Sequence, residues 1–333
     1  MKAALQKFKN LRFVKLIGFN RVVLILIIFL MYGFFTILTP ILRNGSSFVN
    51  YNRVMSALNY AYFIGFLGLG VTFVIATGGI DFSIGPVMFC SALISGYCLT
   101  KFNLPLWFCI FISIAVGALF GSIGGYFVAF RHLPSFITSM ALMQVAKGVG
   151  SIFTKTQSVT WPAAEATSSW YRYLVKWNNL PTGFVILCLV AAICAVVLYK
   201  TRAGRYMLCL GSNKEAVRLS GVDTRRWEML AYILSGTLAG VAAIFYVGAY
   251  TTVQPGLGDT FNNEAIAACV MGGTSMAGGS ASILGTVIGA IIVALMQEGI
   301  LAMGFTISYQ YVLTGLIVLG AVTADIMSRK RRN

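Results

Sequence analysis

Apolar residues run in long unbroken stretches along this chain, and polar residues gather into short intervals between them. Runs at 22–42, 54–76, 82–100, 105–129, 134–154, 181–199, 229–250, 283–302 and 307–326 approach the ~20 residues that a helix needs to cross a bilayer. A tenth, shorter run lies at 263–273. None shows the strict alternation of a strand, so the pattern predicts an all-α polytopic bundle of about ten transmembrane helices. The first run follows a basic segment, as a signal peptide's does. Its length and the lack of a small-residue cleavage site predict an uncleaved anchor.

Composition agrees with that pattern. Hydrophobic residues make up 58% of the 333 and charged residues 10%, and the mean hydropathy is +0.83. That leaves too little polar surface to cover a soluble domain of this size, so the chain reads as one integral membrane domain over 1–333. Its +16 net charge is unevenly placed. Six Lys and Arg precede the first run within a basic segment, 1–21. Seven lie between Lys200 and Arg226, Arg131 sits in a tight turn, and Arg329–Arg332 fall in a basic tail, 327–333. If ten spans are assumed, all of these lie at one end. Since Lys and Arg are retained in the cytoplasm, both termini and the 200–227 loop are predicted to be cytoplasmic. The charge is then topological, with an affinity for the anionic lipid of the bilayer, and does not support nucleic-acid binding.

The 200–227 loop is the longest charged interruption of the second half. Ser212 followed by Glu215 has the spacing of a capping box, and Gly221 that of a left-handed stop. They enclose one short helix, Asn213 to Ser220, too short to persist alone, so Ala216, Val217 and Leu219 are expected to rest on neighbouring protein. Docking outside the membrane and simple connection are both open readings.

Two glycine pairs reveal an internal repeat. Gly78-Gly79-Ile80-Asp81-Phe82-Ser83-Ile84-Gly85 aligns with Gly272-Gly273-Thr274-Ser275-Met276-Ala277-Gly278-Gly279 at an offset of 194. Each copy lies between apolar runs. Broken helices in matching halves point to a substrate path, because the interrupted backbone must line a cavity or be buried in protein. On this reading Gly78, Gly79, Asp81, Ser83, Gly272, Gly273, Thr274 and Ser275 are path candidates. Close helix packing explains the same glycines equally well. Asp81 is the most pointed of them, since a carboxylate between apolar runs needs a partner. Three roles are open to it: bonding a polar substrate, capping the helix that starts near Phe82, or meeting a cytoplasmic partner. Glu264 and Glu298 pose the same question near the ends of their runs.

The remaining polar interval, 155–180, carries Trp161, Trp170, Tyr171, Tyr173 and Trp177 with Arg172 and Lys176. It reads as an interfacial aromatic belt, or as a surface that receives an external delivery protein. Seven cysteines show no C-x-x-C pair and lie mostly in apolar runs, as core residues do. The lone His132 ends a span beside Arg131, where a structural role competes with a proton relay. The chain has no phosphate loop, zinc helix or nucleophile elbow, so no enzyme and no bound cofactor or metal is expected. Uphill transport would then draw on an ion gradient or on an ATPase in another chain. A secondary carrier with Asp81 and Glu298 as proton sites is the alternative. A non-transporting scaffold would leave the glycine repeat unexplained.

Three segments together resemble the permease subunit of bacterial sugar ABC importers of the ribose-type branch. They are TGGIDFSIGPVM at 77–88, GRYMLCLGSNKEAVRLSGVDTRRWEMLAYILSGTLAGVAAI at 204–244, and the glycine-rich stretch 264–292. The resemblance implies a multi-pass protein of the bacterial inner (cytoplasmic) membrane that moves a monosaccharide or related small polar solute. It further implies a second permease copy or paralogue, a cytoplasmic ABC ATPase that binds Mg-ATP, often two ATP-binding halves in one chain, and an extracytoplasmic sugar-binding protein. Asn213, Glu215, Ala216, Val217, Arg218, Leu219 and Gly221 match the position of the family's ATPase-coupling helix. Pro86 departs from the small residue expected there, and fits the first turn of a helix beginning near Asp81.

Overall fold

The computed structural model describes residues 19–43, 47–162, 169–178 and 180–330. The basic segment before Phe19 and the last three residues of the tail lie outside them. Twelve α-helices follow one another among the described residues. They are α1 (Phe19–Leu42), α2 (Tyr51–Ala76), α3 (Ile84–Lys101), α4 (Leu106–Arg131), α5 (Ser135–Phe153), α6 (Thr182–Lys200), α7 (Arg202–Ser212), α8 (Lys214–Leu219), α9 (Thr224–Tyr250), α10 (Asp259–Met271), α11 (Ile283–Ala302) and α12 (Ser308–Lys330). Eight of them, α1–α6, α9 and α11, are long and apolar enough to cross a membrane. The short run at 263–273 belongs to α10, whose 13 residues rise only ~20 Å. The run at 307–326 belongs to α12, in which the apolar stretch is Ser308–Gly320.

Helix α2 is apolar around its whole circumference, and 89% of its span is buried, against 11% for α1. A helix with no polar face belongs at the centre. Helices α6, α9, α10 and α11 pack against it. The faces of α4, α5 and α6 turned away from it remain exposed and apolar, as lipid-facing surfaces are.

Packing inside the bundle follows small residues. Ser113, Gly117, Gly121 and Gly125 recur every four residues on α4 and meet Met229, Tyr232, Gly236 and Gly240 on α9. A Cβ on Gly117 would enter the carbonyl of Gly236, and one on Gly236 the carbonyl of Gly117. Without side chains the backbones touch, and the Ser113 hydroxyl donates to the Gly240 carbonyl at 2.9 Å.

One end of the bundle is closed by a two-stranded antiparallel pair, β1 (Val159–Thr160) with β2 (Thr252–Val253), in which Val159 faces Val253. Here the predicted aromatic belt divides. Trp161 and Tyr171 are buried, Trp161 donating to the Ala92 carbonyl at 3.3 Å and Tyr171 to that of Pro162 at 3.0 Å. Trp170, Tyr173 and Trp177 stay exposed. Each buried ring has a backbone carbonyl within reach of its polar tip, which offsets the loss of water there. The opposite end gathers the α4–α5 turn, the segment from α6 to α9 and both glycine breaks.

Candidate functional site

In the first break, α2 ends in a Schellman turn. Gly78 adopts φ +86°, and the N–H groups of Gly78 and Gly79 donate to Ile75 and Val74 at 2.9 and 3.1 Å. The chain then passes through Asp81 to α3 without regular structure. That helix begins at Ile84, three residues later than Asp81, and Pro86 sits in its first turn, where a missing N–H is tolerated. Asp81 is buried with both oxygens engaged. Oδ1 accepts from the Ser83 N–H at 2.9 Å and from the Ser83 hydroxyl at 2.6 Å, and Oδ2 accepts from the Ser235 hydroxyl of α9 at 2.9 Å. The carboxylate therefore ties the start of α3 to α9.

The second break closes α10 with the same motif. Gly273 adopts φ +91°, and the N–H groups of Gly273 and Thr274 donate to Val270 and Cys269 at 2.9 and 3.0 Å. Gly78 is thus the counterpart of Gly273 and Gly79 that of Thr274, an offset of 195. The sequence alignment at 194 is one residue out of step, because glycine identity does not report which member of each pair takes the left-handed turn. The second break is also longer. Eleven residues, Gly272–Ser282, stand where the first has seven, Thr77–Ser83. Within it the Thr274 hydroxyl accepts from Ser282 N–H at 3.1 Å, and Ser275 N–H donates to the Ser280 carbonyl at 2.9 Å.

The two breaks touch each other and the charged loop. Gly279 N–H donates at 3.1 Å to the Ala76 carbonyl, one of the groups that the end of α2 leaves unpaired. A Cβ on Gly278 would lie 2.8 Å from the Gly211 Cα and 2.8 Å from the Gly78 nitrogen. Gly211 belongs to α7, where a Cβ would enter the Ala76 carbonyl and the Gly279 amide. Three backbones meet at a point that admits no side chain. Sequence reading missed α7, an amphipathic helix capped by Thr201 and burying Gly204, Met207 and Leu210. That three-residue spacing after a threonine was its signal.

Helix α8 follows within one residue, and its cap differs from the prediction. Ser212 still belongs to α7, its hydroxyl donating to Leu208 at 3.2 Å. The N-cap is Asn213, whose Oδ1 accepts from Ala216 N–H at 3.0 Å. Glu215 does not fold back onto the cap. It accepts from Arg218 Nε at 2.9 Å, a neighbour one turn away, and the guanidinium holds its carboxyl below the usual range. Gly221 takes the predicted left-handed stop at φ +76°. Val217 is buried, whereas Ala216 and Leu219 are exposed, so of the three apolar residues only Val217 rests on this chain. Lys214 pairs with Glu228 at 2.6 Å and joins α8 to α9.

A cavity of about 510 Å³ lies beyond the breaks. It is lined by Thr260, Asn263, Glu264 and Ile266 of α10, by Tyr311, Thr314, Gly315 and Val318 of α12, and by Phe82 and Met276, one from each break. None of the eight path candidates read from sequence lines it. Their side chains and amides are engaged in turns and packing, and their neighbours face the cavity instead. Glu264 is buried and accepts from the Tyr60 hydroxyl and, at 3.1 Å, from Gln310 Nε2. Tyr60, Gln310 and Thr314 escaped sequence reading, although Gln310 and Thr314 are polar at an i, i+4 spacing inside an apolar run. Glu298 is only partly buried, on α11. His132 caps α4 in a left-handed conformation, φ +57°. Among the described residues the cysteines are free, and no group of three potential metal ligands forms.

Fold and site together define a multi-pass membrane permease, with two interrupted helices in contact with a charged loop. The family described as branched-chain amino acid transport system / permease component matches residues 53–322, and the chain belongs to it. Similar proteins include the ribose import permease protein RbsC of Escherichia coli (strain K12), 30% identical over 84% of this chain and 87% of that one. RbsC of Bacillus subtilis (strain 168) is 31% identical over 88% and 90%. The fructose import permease protein FrcC of Rhizobium meliloti is 31% identical over 86% and 81%. A solved structure described as an inward-facing conformation of a putative metal-chelate type ABC transporter aligns over 88% of this chain and 98% of its own. At 16% identity and a TM-score of 0.48 it is too distant to add to this. The chain is accordingly the permease subunit of an ABC importer in the cytoplasmic membrane. It is not itself an enzyme, and it works with an ATPase and a solute-binding protein.

Proposed function

We propose that this chain carries a monosaccharide or related small polar solute into the cytoplasm as half of a permease pair, a second copy or a paralogue supplying the other half. Mg-ATP binds the partner ATPase and nothing comparable binds here. A sugar-binding protein on the far side delivers the solute. The ribose and fructose named for three relatives, each about as similar to this chain as the others, support the solute class and leave the particular sugar open.

The observation that carries this reading is the contact of Gly211 with both breaks. A cytoplasmic helix with exposed Lys214, Glu215, Ala216, Arg218 and Leu219 offers a docking surface, and Asn213 and Gly221 fix its ends. Any displacement of α8 moves α7, and α7 cannot move without shifting Gly78 and Gly278, because the three backbones are in contact. ATP-driven motion at the docking surface thus reaches the ends of α2 and α10 without an intervening flexible side chain. The secondary-carrier alternative is disfavoured by the family, and also by Asp81, whose oxygens are both occupied within the protein.

Ala216→Glu tests the docking surface. Ala216 is exposed, so the substitution leaves the fold intact and places a carboxylate in the contact with the ATPase. In mild detergent the wild-type complex should retain an ATPase chain, and the variant should lose most of it at unchanged membrane abundance. Equal recovery of the ATPase with both proteins would contradict the docking role of α8.

A further inference from the structure

The cavity between α10, α12 and the two breaks has properties that its location alone does not require. Thr260, Asn263 and Glu264 are spaced three and four residues apart, which puts them on one face of α10. Tyr311, Thr314, Gly315 and Val318 do the same on α12. A polar stripe therefore faces apolar walls supplied by Phe82, Ile266, Met276 and Val318. Few polar groups among apolar ones, in a volume between ~300 and ~1,000 Å³, is the usual make-up of a small-molecule site.

The polar groups have capacity to spare. A carboxylate offers about four acceptor positions, and in Glu264 only two are filled, one by Tyr60 and one by Gln310. The Thr314 hydroxyl is buried in the cavity wall with no hydrogen-bond partner among the described residues, and Gln310 Oε1, behind Glu264, is in the same condition. Buried polar atoms are ordinarily paired, so a group left open on a cavity wall marks where a ligand's own polar atom completes the set.

The open groups also restrict the ligand. Among the described residues no Lys, Arg or His lines the cavity, so none of them would pair an anion there. Thr260, Asn263 and Thr314 donate as well as accept, which suits the double character of hydroxyl groups better than the donor-only character of an ammonium.

We propose that this cavity is the solute-contact site of the permease, and that a neutral polyhydroxylated molecule is held there by Glu264, Thr314, Asn263 and Thr260 through its hydroxyls. Tyr60 and Gln310 are positioning residues that fix the Glu264 carboxylate. The proposal rests on the monosaccharide reading above and deepens it by assigning the residues that meet the sugar.

The test is uptake of radiolabelled D-ribose and D-fructose by cells that carry the full complex. Two variants are compared with wild type at measured membrane abundance. Thr314→Val removes one hydroxyl at nearly constant volume. It should raise the half-saturating concentration of the transported sugar about 2- to 10-fold, the net contribution of one hydrogen bond. Gly315→Phe fills the void. A Cβ on Gly315 meets nothing within 4 Å, so the ring has room and the complex should be recovered in wild-type amount with uptake abolished. Unchanged uptake in both variants would overturn the proposal. So would loss of the ATPase or of the second permease chain from Gly315→Phe, since the cavity would then be a contact face between subunits. If the wild type takes up neither sugar nor any other of a panel of labelled pentoses and hexoses, the monosaccharide reading itself fails and carries this inference with it.

Discussion

Single glycines decide whether the two breaks can exist, and they do so for two different physical reasons. Gly273 needs its left-handed φ of +91°, yet an added Cβ there meets nothing within 4 Å. Gly278 needs both its φ of +80° and the absence of a Cβ, because the space is filled by the backbones of Gly211 and Gly78. Replacing either by Ala introduces a left-handed strain of ~1–2 kcal/mol. Only at Gly278 does backbone overlap add to it. Gly278→Ala should therefore lower the melting temperature in detergent more than Gly273→Ala, and it alone should abolish uptake. Equal effects would show that the three-backbone contact is unimportant. The sequence shows glycines at all three positions and does not show this difference, since contact between segments some 70 and 130 residues apart leaves no local pattern.

Helices were legible in proportion to their length and apolarity. All ten long or short apolar runs correspond to helices, and even the short one at 263–273 proved to be α10, because burial in a bilayer-sized core demands uninterrupted apolar residues. Helix α7 was not read, since its polar face made it look like loop, and this hid the fact that Ser212 ends one helix instead of starting the next. Asn213, equally suited to an N-cap, took the place. Freed from the cap, Glu215 pairs with Arg218. A carboxyl held below its usual range contributes stability above its unfolded pKa and loses it as the pH falls through the lowered value. The pair is therefore intact at neutral pH and dissolves only in acid. Arg218→Gln should move the Glu215 titration upward toward the ordinary carboxylate value, read by NMR of labelled glutamate. An unmoved midpoint would mean that Arg218 is not what lowers it. Both side chains are exposed, so global stability should hardly change.

At the scale of the whole molecule, the central core of α2, α3, α9 and α11 is interrupted at two places, and both interruptions abut one charged loop. On one side of the breaks lies α7 with its appended α8, and on another the cavity that Phe82 and Met276 help to line. On the proposed reading, a force applied at α8 acts on the walls of this solute-sized space. The path candidates read from the sequence adjoin this space in the chain and do not line it. The glycines that announce the breaks form the turns, and the neighbours that face the cavity carry ordinary apolar side chains. The energy for transport comes from ATP on a partner chain. The most direct measurement is sugar accumulation in proteoliposomes that contain the permease with its ATPase and binding protein, with and without ATP and with and without a protonophore. Accumulation should require ATP and persist when the protonophore collapses the proton gradient. Accumulation driven by a pH gradient in vesicles that hold this chain without any ATPase would contradict it.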